Sequence, residues 1–160
     1  MILMALKRLA NEYKHYMKDP NPLYIVNTED NFLEWTFTIF GPEDTLYEGG
    51  IFTGIISFTK EYPNKPPKVK FNNIIHPNIY KTGEVCISIL HEGVDTYGYE
   101  QISERWSPAQ NVNSIMLSII SMLSAPNFDS PANIDASVLW KDNPDKYKLE
   151  IYKLVAQSQK

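Results

Sequence analysis

Cysteine is nearly absent: 160 residues hold one thiol, Cys86. A lone thiol excludes an internal disulfide, a Cys-x-x-Cys redox pair and any zinc site built from several thiolates. Three scattered histidines, His15, His76 and His91, make no His-Glu-x-x-His motif and no spaced ligand set, so no metal is expected. Basic charge is also short. Fifteen Lys and Arg stand against nineteen Asp and Glu, a net −4, which disfavours nucleic acid as a partner because such binding needs a positive surface. No apolar run approaches the ~20 residues of a membrane span. Met1 to Leu6 is apolar, but Lys7 and Arg8 interrupt it, so neither a secretion signal nor direct membrane insertion is expected. No anchoring tail is expected after the helix-like C-terminal segment. The expectation is a reduced, intracellular globular domain, large enough to bury a core without staples.

What is present has a clear order. Leu3, Leu6, Leu9, Tyr13, Tyr16 and Met17 recur at three and four residues, an amphipathic helix stopped by Asp19-Pro20 and Pro22. Trp35, Phe37 and Ile39 alternate with Glu34, Thr36 and Thr38, as a half-buried strand does. Ile51 to Phe58 reads as a second strand and Val69 to Phe71 as a short third. Between them Tyr62-Pro63-Asn64-Lys65-Pro66-Pro67 must be a loop or edge, since proline cannot donate to a sheet ladder. His76-Pro77-Asn78 begins a loop through Lys81-Thr82-Gly83, and Val85 to Leu90 reads as extended. His91 to Arg105 is a polar, acidic loop. Val112, Ile115, Met116, Ile119, Ile120 and Leu123 mark a helix apolar enough to lie at the centre, with Asn111 as its N-cap. A short helix is expected around Asp135 to Trp140. Asn143 and Pro144 open the last helix, which buries Tyr147, Ile151, Leu154 and Val155. Strands followed by helices, without βαβ alternation, mean an α+β fold. No repeat, low-complexity tract or linker divides the chain, so residues 1–160 read as a single domain.

Charge is unevenly placed. No Lys or Arg occurs from Thr82 to Glu104, where Glu84, Glu92, Asp95, Glu100 and Glu104 fall, while Lys60, Lys65, Lys68 and Lys70 cluster just upstream. Solvated surface is the plain explanation for each single charge.

Chemistry centres on Cys86. Free cysteine is usually an inert, buried hydrophobe. Here Val85, Ile87 and Ile89 occupy one face of an alternating segment, so Cys86 and Ser88 fall on the other, away from the core. A thiol so placed is a candidate nucleophile. Cys, His and Asn are also the residue types of a papain-like protease, but Pro77 stiffens the loop between His76 and Asn78, which suits a structural histidine better than a mobile base. Asn78 has two side-chain N–H donors. It is a candidate to stabilise an oxyanion, or a turn asparagine bonded to its own backbone, or both.

Taken together, these motifs resemble the ubiquitin-conjugating enzymes. The resemblance rests on Ala5-Leu6-Lys7-Arg8-Leu9, Gly41-Pro42, Tyr47-Glu48-Gly49-Gly50-Ile51-Phe52 and the Tyr62–Pro67 stretch. It continues with His76-Pro77-Asn78, Cys86 eight residues after Asn78, Trp106-Ser107-Pro108 and Pro126-Asn127. Cys86 and Trp106 lie twenty positions apart, far beyond a typical ~4–6-residue connection. This resembles the subgroup with an acidic insert after the cysteine, here about residues 92–104. Cys86-Ile87-Ser88-Ile89-Leu90-His91, Gly98-Tyr99-Glu100 and Glu104-Arg105-Trp106-Ser107-Pro108 look most like the branch serving endoplasmic-reticulum-associated degradation.

The resemblance implies an N-terminal helix, a four-stranded antiparallel meander, a central helix on the sheet and two C-terminal helices. It implies a single catalytic domain in which Cys86 takes ubiquitin as a thioester from an ATP-consuming activating enzyme and passes it to a substrate lysine. No cofactor is needed on this chain. Asn78 is implied as the catalytic asparagine, with His76 in support. The family's gate position, often aspartate, falls on Ser130, so Asp129 or insert residues such as Asp95 are candidates to supply a carboxylate. Tyr80 and Tyr99 are candidates to flank the thiol. Lys7 and Arg8 match positions that meet the activating enzyme and ligases, and Asn64, Ser107 and Pro108 match the loops that ligases grip. Asn64 stands where many members carry a large apolar residue, which favours a RING-type ligase. The resemblance further implies chains of the proteasome-directed linkage and a cytoplasmic enzyme brought to the endoplasmic-reticulum surface by a partner. The alternatives are an enzyme for a ubiquitin-like modifier and a non-catalytic variant that binds ubiquitin or a ligase.

Overall fold

The structure, a computed structural model, describes residues 1–93 and 104–160. The first helix, α1 (Ile2–Lys18), ends where Asp19 leaves helical geometry before Pro20. Its inner face differs from the expected stripe. Ala5 and Leu9 are the buried residues, whereas Leu3 and Met17 are 75% and 59% exposed. The helix lies on its Ala5–Leu9–Tyr13–Tyr16 side because the two tyrosines pack on Phe32, Trp35 and Tyr24, so the residues at both helix ends overhang the core.

Four strands follow: β1 (Tyr24–Asn27), β2 (Glu34–Phe40), β3 (Ile51–Ser57) and β4 (Lys68–Phe71). They pair antiparallel in chain order β1-β2-β3-β4. β1 is the strand that the hydropathy pattern alone does not reveal, because Tyr24-Ile25-Val26 is apolar throughout although Ile25 faces outward, whereas the equally short β4 alternates lysine with apolar residues. Trp35, Phe37 and Ile39 all face inward, as their alternation requires. Phe37, Gly54 and Phe71 fall opposite one another in the register. A Cβ on Gly54 would lie 2.2 Å from the Lys70 carbonyl oxygen and 2.5 Å from the Phe37 ring. Glycine there lets the two phenylalanine rings meet edge to face at 5.0 Å.

The central helix, α2 (Val112–Ser124), starts in a reciprocal capping box. Asn111 accepts from the Ser114 backbone N–H, and the Ser114 hydroxyl accepts from the Asn111 N–H. Ile115, Met116, Ile119 and Leu123 are fully buried and join the inward residues of the sheet in one core. α3 (Ile134–Asp142) is capped by Asn133, and α4 (Pro144–Ser158) by Asn143 with Pro144 in its first turn. Tyr147, Ile151 and Leu154 are buried and Val155 partly so. The segment Val85 to Leu90 departs from its expected extended form. Only Glu84 and Val85 form β-bridges, and Ser88–Leu90 is a turn of 3-10 helix. Ile89 is buried because that turn folds it back, not because a strand alternates.

Candidate active site

The segment Ile75–Asn78 is held from every side. The Ile75 carbonyl accepts from the hydroxyls of both Tyr47 and Tyr147. The Pro77 carbonyl accepts from the Ala132 and Asn133 N–H groups, each at 2.9 Å. His76 is fully buried. Its Nδ1 accepts from the Asn78 N–H at 3.0 Å, so Nε2 carries the proton and donates to the Met122 carbonyl at 2.8 Å. Burial lowers the imidazole pKa to about 4, against a smaller opposing effect of the Met122 bond. His76 is therefore neutral at pH 7 and joins α2 to the loop, as a structural histidine does.

Asn78 is 2% exposed. Its carboxamide forms a reciprocal pair with the backbone of Asn127, donating to the carbonyl and accepting from the N–H, both at 2.8 Å. The turn-asparagine alternative has it bonding its own backbone; instead it spans 49 residues to the loop after α2. Its main-chain carbonyl accepts from the Cys86 N–H at 2.9 Å. One residue thus fixes both the thiol's backbone and the opposing loop. The turn between them closes through Gly83, at φ +98°, where a Cβ would lie 2.1 Å from the Phe71 carbonyl oxygen.

Cys86 is half-buried. The 3-10 turn returns the chain so that His91 Nε2 sits 3.6 Å from Sγ. His91 is the site residue that sequence reasoning missed. Five residues of strand would carry it ~16 Å from the thiol, and only the turn brings it back. The Tyr80 hydroxyl is raised above the usual phenol pKa by the Cys86 sulfur beside it and by its hydrogen bond to that sulfur, with smaller effects of burial and Glu84.

Two open grooves meet at the thiol. The first runs along α2 and is lined by Asn78, Ser88, His91, Leu117, Ser121, Asn127 and Ser130 as well as Cys86. The second is lined by Pro66, Pro67, Tyr80, Glu84, Leu90 and Glu92, again with Cys86. Ser130 therefore faces the thiol's groove. Asp129 is exposed and lines neither groove; its N–H donates to Asn127 Oδ1. Asp95 and Tyr99 lie outside the described residues.

The expected partner surface is assembled by a largely buried carboxylate. Glu12 accepts from the Arg8 guanidinium, the Tyr62 hydroxyl and the Val112 N–H. Arg8 reaches on to the carbonyls of Pro108 and Gln110, at 3.1 and 2.9 Å. Trp106 Nε1 donates to the Pro63 carbonyl at 2.8 Å. α1 and the loops carrying Asn64, Ser107 and Pro108 are thereby tied together, with those three residues and Lys7 exposed. Arg8 itself spends its donors inside the molecule. Among the described residues no group of three or more metal-ligating side chains occurs, and no helix is long and apolar enough to cross a membrane.

Comparison with known proteins agrees with this geometry. The family model described as ubiquitin-conjugating enzyme matches residues 8–155. The chain is 48% identical over 157 residues to human ubiquitin-conjugating enzyme E2 G2, covering 96% of this chain and 93% of that protein. It is 55% identical over 133 residues to Arabidopsis thaliana ubiquitin-conjugating enzyme E2 7, covering 82% and 80%. Against ubiquitin-conjugating enzyme E2 15 of Schizosaccharomyces pombe it is 48% identical over 154 residues, covering 94% and 92%. A lone half-buried thiol between two open grooves, in an α+β frame matched along nearly its whole length, places this chain in the ubiquitin-conjugating enzyme family.

Proposed function

We propose that residues 1–160 act as one catalytic domain that carries ubiquitin on Cys86 and delivers it to protein lysines. The observation that carries this reading is the position of Cys86, half-buried where two grooves meet and held by the Asn78 carbonyl. The Cys86 thiolate attacks the thioester presented by the activating enzyme and takes the acyl group by exchange. A thiolate, with a thiol pKa near ~8.5, is a far better leaving group than an amine, so the second step needs neither metal nor organic cofactor on this chain. ATP is consumed by the activating enzyme. Asn78 presents its remaining side-chain N–H toward the oxyanion. Ser130 borders the approach to the thioester, with Asp129 and the insert residues Asp95 and Tyr99 in support.

The surface of Lys7, Asn64, Ser107 and Pro108 takes a RING-type ligase, and Arg8 holds that surface in shape. The similarity to E2 G2 proteins and the acidic insert favour the degradation branch. The product is then a chain of the proteasome-directed linkage, built by a cytoplasmic enzyme recruited to the endoplasmic-reticulum surface by a partner.

The test is incubation with activating enzyme, ATP and ubiquitin, read on a non-reducing gel. A thiol-sensitive adduct is expected, and Cys86→Ala is expected to abolish it. Absence of any adduct from the unaltered chain, or ubiquitin transfer that survives Cys86→Ala, overturns the reading.

A further inference from the structure

One carboxylate near the thiol has no part in the reading above. Val85 is buried, whereas its neighbours Glu84 and Cys86 are half-exposed. Residues i and i+2 of extended backbone point to the same face, about 7 Å apart. Carboxylate and thiol therefore share one face, and both line the second groove. Tyr80 stands beside them. Its N–H donates to the Glu84 carbonyl at 2.9 Å, and the Cys86 sulfur raises the pKa of its hydroxyl. Among the described residues the Glu84 carboxylate accepts no hydrogen bond and forms no ion pair, although Lys65 and Lys68 line the same groove. At the opposite groove, which Glu104 also lines, the residue after Asp129 is Ser130, which cannot act as a carboxylate.

We propose that Glu84 is the carboxylate of the acceptor-lysine subsite. The lysine enters along the second groove past Tyr80, with its ammonium drawn to Glu84 and its nitrogen aimed at the thioester on Cys86. The proposal rests on the thioester reading of Cys86. The incoming ammonium first gives one proton to solvent. The neutral amine then attacks the thioester carbonyl, forming the C–N bond and moving the carbonyl π pair onto oxygen. Bonding to the acyl carbon makes that nitrogen far more acidic than free lysine, whose pKa is near ~10.4, so a carboxylate becomes a competent acceptor for its next proton. The intermediate collapses, the C–S bond breaks, and the electron pair leaves on the Cys86 sulfur. Glu84 passes its proton to solvent or to that thiolate. The products are an amide, a free thiol and one released proton.

The ubiquitin thioester is formed and purified first, so that only its discharge is timed. Two acceptors are compared: free lysine, and hydroxylamine, which is already neutral at pH 7, needs no carboxylate to hold an ammonium, and is so weakly basic that its adduct loses the next proton to water unaided. Glu84→Gln is expected to slow discharge to lysine by at least about tenfold while leaving discharge to hydroxylamine near that of the unaltered chain. Glu84→Asp, with a shorter carboxylate, is expected to fall between. Equal rates on lysine for Glu84→Gln and the unaltered chain overturn the proposal. Equal slowing on both acceptors overturns it too, because that marks a structural role. If the unaltered chain forms no thioester, the thioester reading itself fails, which is a different result from either of these.

Discussion

The two sides of the site differ in how tightly they are held. On one side, Ile75 to Asn78 has its carbonyls, its imidazole and its carboxamide all bonded, to Tyr47, Tyr147, Met122, Asn127, Ala132 and Asn133. On the other, Cys86 and Glu84 sit half-exposed at open grooves. The difference follows from what each side must do. A buried polar group left without a partner costs ~1–3 kcal/mol, so a closed network has one stable arrangement and works as a fixed template. In the proposed function the open side admits two macromolecules in turn, and bonds that closed it would have to break in every cycle.

Breaking the closed side at its point nearest the thiol has the largest expected effect. Asn78→Ala removes the pair with Asn127 and the donor proposed to face the oxyanion. Loss of such a donor costs ~10²–10³ in rate where it has been measured. Single-turnover discharge of the thioester is expected to slow on that order for every acceptor, in contrast to the acceptor-selective loss expected for Glu84→Gln.

Next comes acid. The folded pKa of His76 is about 4 against an ordinary value of 6.5. Below 6.5 the unfolded chain binds a proton that the folded chain refuses. The stabilisation is therefore complete above 6.5 and is lost as pH falls toward 4, at up to ~1.4 kcal/mol per pH unit. Urea unfolding from pH 7 to pH 4 is expected to show this slope. A His76→Gln variant should be less stable at pH 7 and should lack the slope contributed by this residue.

The smallest effect is expected where the partner surface is held together. Arg8→Ala removes hydrogen bonds to Pro108, Gln110 and Glu12, on a side chain that is 31% exposed. Solvent screening keeps the loss to about 1 kcal/mol. Calorimetric unfolding should show it. Because Arg8 holds the loop of Ser107 and Pro108, ligase-stimulated discharge should fall while discharge to hydroxylamine without a ligase stays the same.

Most of the frame was legible because it is local. The capping residues Asn111 and Asn143, the alternation around Trp35 and the apolar run of α2 each declare themselves within a few residues. What was not legible involved short or distant elements. β1 has four residues, and its identity comes from pairing with β2. The stripe Leu3–Met17 has the correct period, and Leu9, Tyr13 and Tyr16 face the core, but Leu3 and Met17 at its ends overhang it. An extended Val85–Leu90 would hold His91 remote from Cys86; a 3-10 turn closes that distance.

By itself the sequence determined that any thiol chemistry has one sulfur to use, since a single cysteine leaves no second sulfur for a bridge, a cluster or a redox pair. It also set the order of most elements through periodicity and caps, whereas the alternation that put the thiol off the core face gives way to a 3-10 turn from Ser88. Tertiary structure alone decided what surrounds the thiol. Asn127 reaches Asn78 across 49 residues, Arg8 reaches Pro108 across 100, and Cys86 finds two grooves built from segments on both sides of it. Such contacts depend on how the sheet, α2 and the loops pack, and packing is set by the whole core at once rather than by any stretch of chain.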